Sequence, residues 1–596
     1  NQQSGFVTNH VYEFKIKIYK KEGLSWANQR VSYYVGYENL RDDKVSFSAA
    51  ATYNIENDKI VKTKLNSEGN FTNKINKYWN VATITLPNVK VGSVIEYKYT
   101  LKSENVVRLP DFDFQYDIPV NYFEYKTEIP EFFIYKTLLV GDFKPESSAE
   151  VVNISQIYAS NYKQINSFYT AKDIPALKEE PFINNIENYK GSIRNELERQ
   201  RFPDKPVVDY TNTWEGVTGS IYKDLHLERE LSTRDYFEED LKTLLQNINS
   251  PKEKLDVVFK FVQDRMNWNK EYGYYTKKEL KKAYSEKTGN VAEINLMLVA
   301  MLKFAKLEAN PVLVSTVENG VPFFPTRTIF NYVIAAVEID GTQVLLDATN
   351  KFTVPDILPL NVLNWQGRLI KADGSSKEIE LIPSKASKCN YNINTTILPD
   401  SGELKGTMFI QNSDNDALHF REINSVKTNE NLIDKLEQDL NGIEIEDYSV
   451  ENLKQNLEKP VSEKFEFVSN RSYERIGNKI FLNPALFFAH NKNPFIQEKR
   501  QMPIYFGYPN QKKYNVIFEI PNGYIVESIP KPIKVSTDGN GFSYMMNIVA
   551  EDDKIQIRIV EEINKAIFVA DDYDMLKDFF QKVIEIQSTK IVLKKI

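Results

Sequence analysis

The chain has 596 residues, 42% hydrophobic and 26% charged, which is enough apolar material for several cores and excludes a mostly disordered chain. Its 75 Lys and Arg against 82 Asp and Glu give a net charge of −7, so it lacks the global positive field that holds a nucleic-acid backbone or an anionic bilayer. The one cysteine, Cys389, excludes an intramolecular disulfide or a thiolate metal cluster, and the four histidines, His10, His226, His419 and His490, are scattered, so thiol and imidazole chemistry have few candidates.

In chain order, the sequence opens Asn-Gln-Gln-Ser-Gly with no Met and no apolar run, which allows a targeting segment already removed. No stretch of about 18 apolar residues follows anywhere, so no transmembrane helix is expected. From Tyr12 to about Val140, alternation in YEFKIKIY, VSYYVGY, VATITLPNV and SVIEYKYTL predicts strands packed as an antiparallel sandwich. The pattern blurs from Ala149 to Phe202, where further strands, a connector and a polar helix around NELERQRF are expected. Residues 1–202 thus read as an N-terminal β-sandwich domain with connector, and 203–231 as a linker.

The period changes after Ser232. In SPKEKLDVVFKFVQDRMNW, Ser250 predicts an N-cap, Pro251 the first helical position and Glu253 the closing partner of a capping box. Leu255, Val258, Phe259, Val262 and Met266 recur on one face. A second helix is predicted over GNVAEINLMLVAMLKFA, with Asn290 and Glu293 as its capping box, and it is apolar nearly all round and therefore buried. Strands NPVLVST, IFNYVIAAVEI and TQVLLDAT follow, the last two joined by Asp340-Gly341, a hairpin signal. Helices then antiparallel strands make an α+β unit over 232–370.

Strands resume at Asn390 (YNINTTILPD, GELKGTMFIQ) and are interrupted by a helix at NENLIDKLEQDL, which gives a β-rich domain over 371–502 with one helical insertion. A β domain over 503–596 contains YNVIFEI and KIQIRIV, turns at Asn522-Gly523 and Asp538-Gly539, and a closing helix with Leu576, Phe579, Phe580, Val583 and Ile584 on one face. The fold class expected is multidomain and mainly β, with a central α+β core and flanking β-sandwich domains.

The central stretch TGNVAEINLMLVAMLKFAKLEANPVLVST, with FNYVIAAVEIDGTQVLLDAT and LPLNVLNWQGRLI, resembles the transglutaminase-like fold, a relative of papain-type cysteine proteases. LPNVKVGSVIEYKYT and LPDFDFQYDIPVNYFEY resemble the N-terminal domain of unknown function that precedes such cores in envelope proteins of Bacteroidota. The tail from MPIYFGYP onward resembles the C-terminal domain of unknown function that follows them. The resemblance implies a Cys at the start of the buried helix, a His on one strand and an Asp on the next. Those positions hold Val291, Tyr332 and Asp347. Valine is no nucleophile, and tyrosine, with an ordinary pKa of about 10, is a poor base near neutrality.

The hairpin register sets Tyr332 opposite Thr349, with Asp347 in diagonal reach on the same face. The candidate cleft is Asn290, Glu293, Tyr332, Asp347 and Trp365. Each has a structural reading beside the functional one: Asn290 and Glu293 as a helix cap, Asp347 as a partner of Tyr332 or of a backbone amide, Trp365 as a core or lid ring. The acidic groups Asp414/Asp416 and Asp571/Asp572/Asp574 match no calcium loop and read as solvated turns or helix starts, so neither metal nor cofactor is expected.

The expectation is a non-catalytic transglutaminase-like protein of the cell envelope, periplasmic, outer-membrane associated or secreted, which binds or scaffolds a protein or glycan partner. Two alternatives stand beside it. One is a glycan or peptide hydrolase of altered chemistry that uses Asp347, Glu293 and Tyr332. The other is a structural component of an outer-membrane assembly acting through its β-sandwich domains.

Overall fold

The computed structural model describes all residues except 1–5, 38, 108, 156–160, 204, 211–212, 225 and 327–328. The opening pentapeptide, read above for a targeting segment, lies outside the described residues. The chain forms two compact units, 1–175 with 191–210 and 176–190 with 211–596. Among the described residues no helix is long and apolar enough to cross a membrane.

The first unit is built from antiparallel strands whose side chains alternate between core and solvent. Thr8–Lys17 alternates between half-buried and exposed along its whole length, as a strand with one covered face must. Its four-stranded sheet runs Thr8–Lys17, Val94–Ser103, Lys44–Glu56, Lys59–Lys64, over a core of Ile18, Ile84, Leu86, Ile95 and Tyr97. The helix expected around NELERQRF is instead the strand Ser192–Gln200, paired with Phe133–Val140. Its charged residues have good helix propensity, but Ile193, Asn195 and Leu197 are buried on one face, and that period-two burial overrides propensity.

Among the described residues of the second unit, six α-helices precede a five-stranded antiparallel sheet. The sheet order is Thr342–Leu346, Tyr332–Ile339, Glu308–Val314, Gln366–Ile370, Ser376–Glu380. The sheet thus continues past 370, where the unit was expected to close. Ser376–Glu380 is an edge strand with Ile379 its one buried residue, so in composition it resembles a linker. The expected linker over 203–231 includes positions outside the described residues, but its helices Trp214–Asp224 and Leu227–Ser232 bury Val217, Ile221, Leu227 and Leu231 in the same core.

Helix Pro251–Arg265 is capped by Ser250, which accepts from the Glu253 amide. The reciprocal half of the expected box is not formed. Helix Val291–Phe304 has both halves, and all its residues from Val291 to Leu302 are buried, as its all-round apolar sequence requires. The tight Asp340-Gly341 turn has φ of 51° and 77°, the paired positive values of a type I′ hairpin. It fixes the register Ile339↔Thr342 through Ala335↔Leu346.

The C-terminal part holds an eight-stranded sheet that takes strands from both sides of position 503. Ser387–Leu398 lies parallel to Asn510–Glu519, and every other neighbouring pair is antiparallel. Lys479–Leu482 and Tyr524–Ser528 flank the last strand, Ile591–Lys595, in a second sheet. The chain therefore closes on a strand and not on helix Tyr573–Ser588, because Ile591 and Leu593 are fully buried. The protein is multidomain and mainly β, with a helix-rich α+β middle.

Candidate functional site

The site begins at the start of the buried helix. Asn290 Oδ1 accepts from the Glu293 amide and Glu293 Oε2 from the Asn290 amide, both at 2.8 Å. Glu293 Oε1 accepts from the amides of Lys277 at 2.9 Å and Lys278 at 3.1 Å, and Asn290 Nδ2 donates to the Tyr275 carbonyl at 3.0 Å. The Glu293 carboxylate is 1% exposed, and its bonds pin the 275–278 segment to the helix start. Gly289 permits this approach, since a Cβ there would sit 2.9 Å from Glu293 Cβ. These two residues are a cap that also anchors a loop.

Val291, at the position implied for a nucleophile, is fully buried, and its amide donates to the Glu271 carbonyl at 3.3 Å. On the facing strands the hairpin register brings Tyr332 and Asp347 together. The Tyr332 hydroxyl donates to Asp347 Oδ2 at 2.8 Å and lies 2.8 Å from Thr349 Oγ1. Asp347 Oδ1 accepts from the Thr349 amide at 3.0 Å, from Thr349 Oγ1 at 2.7 Å and from Asn295 Nδ2 at 3.0 Å.

Asn295 was not singled out from the sequence. It donates a second bond to the Val333 carbonyl at 2.9 Å and accepts from the Ala348 amide at 2.9 Å, and so fastens the helix to both strands. Its signal was a lone amide, one turn beyond Val291, in an otherwise apolar helix. Around it Thr353 Oγ1 donates to the Asp347 carbonyl at 2.6 Å, and buried Gln263 donates to the carbonyls of Asn350 and Thr353.

Asp347 and Asn295 are fully buried and Tyr332 is 2% exposed. The Tyr272 ring lies 5.8 Å from the Tyr332 ring, with its hydroxyl held by Asn361 Nδ2 at 3.2 Å. Burial first, then the neighbouring Asp347 charge, pushes the Tyr332 hydroxyl well above its ordinary pKa, so it stays protonated and serves as a donor. Trp365 is not in this cluster. It is half-buried with φ 59°, and meets Phe323 edge-on at 6.4 Å. Cys389 is buried in the separate apolar core of the C-terminal sheets, where burial pushes its thiol up to about 12. The buried side chains of Tyr332, Asp347, Thr349 and Asn295 are thus bonded to one another.

Asp414 and Asp416 fall in the first turn of helix Asp414–Asn424, and Asp574 in that of Tyr573–Ser588, where carboxylates complement the helix dipole. Among the described residues no group of three His, Cys, Asp or Glu side chains is placed to hold a metal ion.

Two family profiles match the chain. Residues 8–167 match a Domain of Unknown Function, DUF3857, and residues 478–593 match another, DUF3858. No curated protein matches the sequence. The fold is similar to the crystal structure of a proposed protease from Parabacteroides distasonis, with a TM-score of 0.59 at 11% identity over 99% of this chain and 96% of that one.

Proposed function

We propose that the chain is a non-catalytic member of the transglutaminase-like fold, working in the cell envelope of a Bacteroidota species as a binding or scaffold module for a protein or glycan partner. One observation carries this reading. The positions that the resemblance assigns to nucleophile, base and orienting acid hold Val291, Tyr332 and Asp347, and all three are at most 2% exposed. A hydrolase or transferase needs a nucleophile that a substrate reaches, and here the acid is spent on Tyr332, Thr349 and Asn295.

The name of the structural neighbour favours a second reading, a hydrolase of altered chemistry acting through Asp347, Glu293 and Tyr332. The purified full chain, assayed for labelled-amine incorporation into a glutamine-containing protein and for hydrolysis of peptide and glycan libraries, decides between them. No turnover above buffer is expected. Turnover that falls with Asp347→Asn establishes the second reading and overturns the first.

A further inference from the structure

A cavity of about 220 Å³ opens between the loop that follows Asp347 and helix Asp414–Asn424. Arg421 lines it from the helix and is 2% exposed. Its Nε and Nη2 donate to the Asn452 carbonyl at 3.2 and 3.1 Å, Nη2 also to the Lys459 carbonyl at 2.8 Å, and Nη1 to the Leu457 carbonyl at 2.9 Å. A guanidinium has five N–H groups. Four are spent on carbonyls and none on a carboxylate, which leaves one donor on Nη1. A clamp on carbonyls needs donors only, and the Glu458 carboxylate in the same lining acts on the guanidinium as a nearby charge without bonding it.

The rest of the lining fits an anion. Lys385 and Asp414 are paired with each other at 2.9 Å, and of the remaining charged residues in the lining Arg421 and Lys459 outnumber Glu458. Val354, Ile357 and Leu418 supply an apolar wall. The volume lies below the about 300–1,000 Å³ of sites for drug-sized molecules, so the space suits an acid of a few heavy atoms or a single residue.

We infer that this cavity binds the carboxylate of a small apolar acid, free or at the C-terminal end of a peptide, against the Arg421 guanidinium. The site is separate from the Tyr332–Asp347 cluster and does not depend on the function proposed above.

Calorimetric titration of the full chain with isovalerate and with isovaleramide, its neutral isostere, tests the charge. Isovalerate is expected to bind at least about tenfold more tightly, the worth of one charge-assisted hydrogen bond. Val354→Phe, which fills the cavity and leaves the guanidinium untouched, should abolish binding, and Arg421→Lys should weaken it by a similar factor. Short peptides ending in leucine, free or amidated at the C-terminus, identify the source: tighter binding of the free-acid peptide than of isovalerate marks a chain end, the reverse a free acid. Equal affinity for acid and amide, binding that survives Val354→Phe, or no saturable binding of isovalerate at millimolar concentration overturns the inference.

Discussion

Replacing Tyr332 by phenylalanine removes one oxygen from the centre of the closed cluster and changes almost nothing in shape. The ring stays between Tyr272 and the strand, so the cavity term is small. The loss falls on Asp347 Oδ2, which accepts from the Tyr332 hydroxyl, while Oδ1 keeps Thr349 and Asn295. A hydrogen bond to a charged group contributes about 1.5–3 kcal/mol, and the oxygen left behind is fully buried. The expected cost is about 2 kcal/mol, or about thirtyfold in the opening equilibrium. Because the chain has two units, a single unfolding midpoint is a poor gauge. Amide hydrogen exchange of peptides covering Tyr332–Ile339 and Thr342–Leu346 reads the local value. Tyr272→Phe, whose hydroxyl is held only at 3.2 Å on a side chain 41% exposed, serves as control, with an effect under about 0.5 kcal/mol. Unchanged exchange in Tyr332→Phe would mean that water replaces the hydroxyl at Oδ2, and the argument for a closed site would fail.

Restoring the residues implied by the resemblance, Val291→Cys with Tyr332→His, should yield no amine incorporation, because position 291 is inside the core; turnover in that variant would refute the burial argument. Glu463 tests pH. Burial pushes its carboxyl up to about 7 against a bond from Tyr448, so the stability this group contributes is full below 4.5 and is lost as pH rises through 7. The shift corresponds to about 3 kcal/mol, and Glu463→Gln should flatten the fall in stability of the eight-stranded sheet between pH 5 and 8, read by exchange of Val461–Ser469. Glu180→Ala leaves Arg500, whose side chain is fully buried and 3.3 Å from Glu180, without its carboxylate. Limited proteolysis within 176–190 should then accelerate, the pair being worth about 3–5 kcal/mol to break. Cys389 should resist a thiol reagent at pH 8 until denaturant is added, since its thiolate is scarce and its side chain 4% exposed; rapid native labelling would contradict this placement.

What could be read from the sequence follows from the range of each signal. Asp340-Gly341 is local, and with a strand period of two it places Tyr332 and Asp347 on one face without any tertiary contact. Asn290 and Glu293 are likewise a three-residue rule. Strands Ser192–Gln200 and Ser376–Glu380 were not legible, because their sequences are polar and only the partners Phe133–Val140 and Gln366–Ile370 make them strands. Asn295 was missed for the opposite reason. It sits in an apolar run where a single amide carries no periodic signal, and its three partners come from segments 38 to 53 residues away.

The closure of the site has its own physical logic. A buried carboxylate cannot be left without partners, so an Asp347 facing an aliphatic strand residue would have destabilised the core. Tyr332 removes that difficulty: its hydroxyl donates to Asp347 Oδ2 at 2.8 Å, and its ring lies 5.8 Å from that of Tyr272. Thr349 and Asn295 complete the shell from the strand and the helix. Each side chain meets its neighbour's otherwise unsatisfied group. Asp347 ties together the helix and the Tyr332 strand, so a partner of the kind proposed above would bind elsewhere on the molecule.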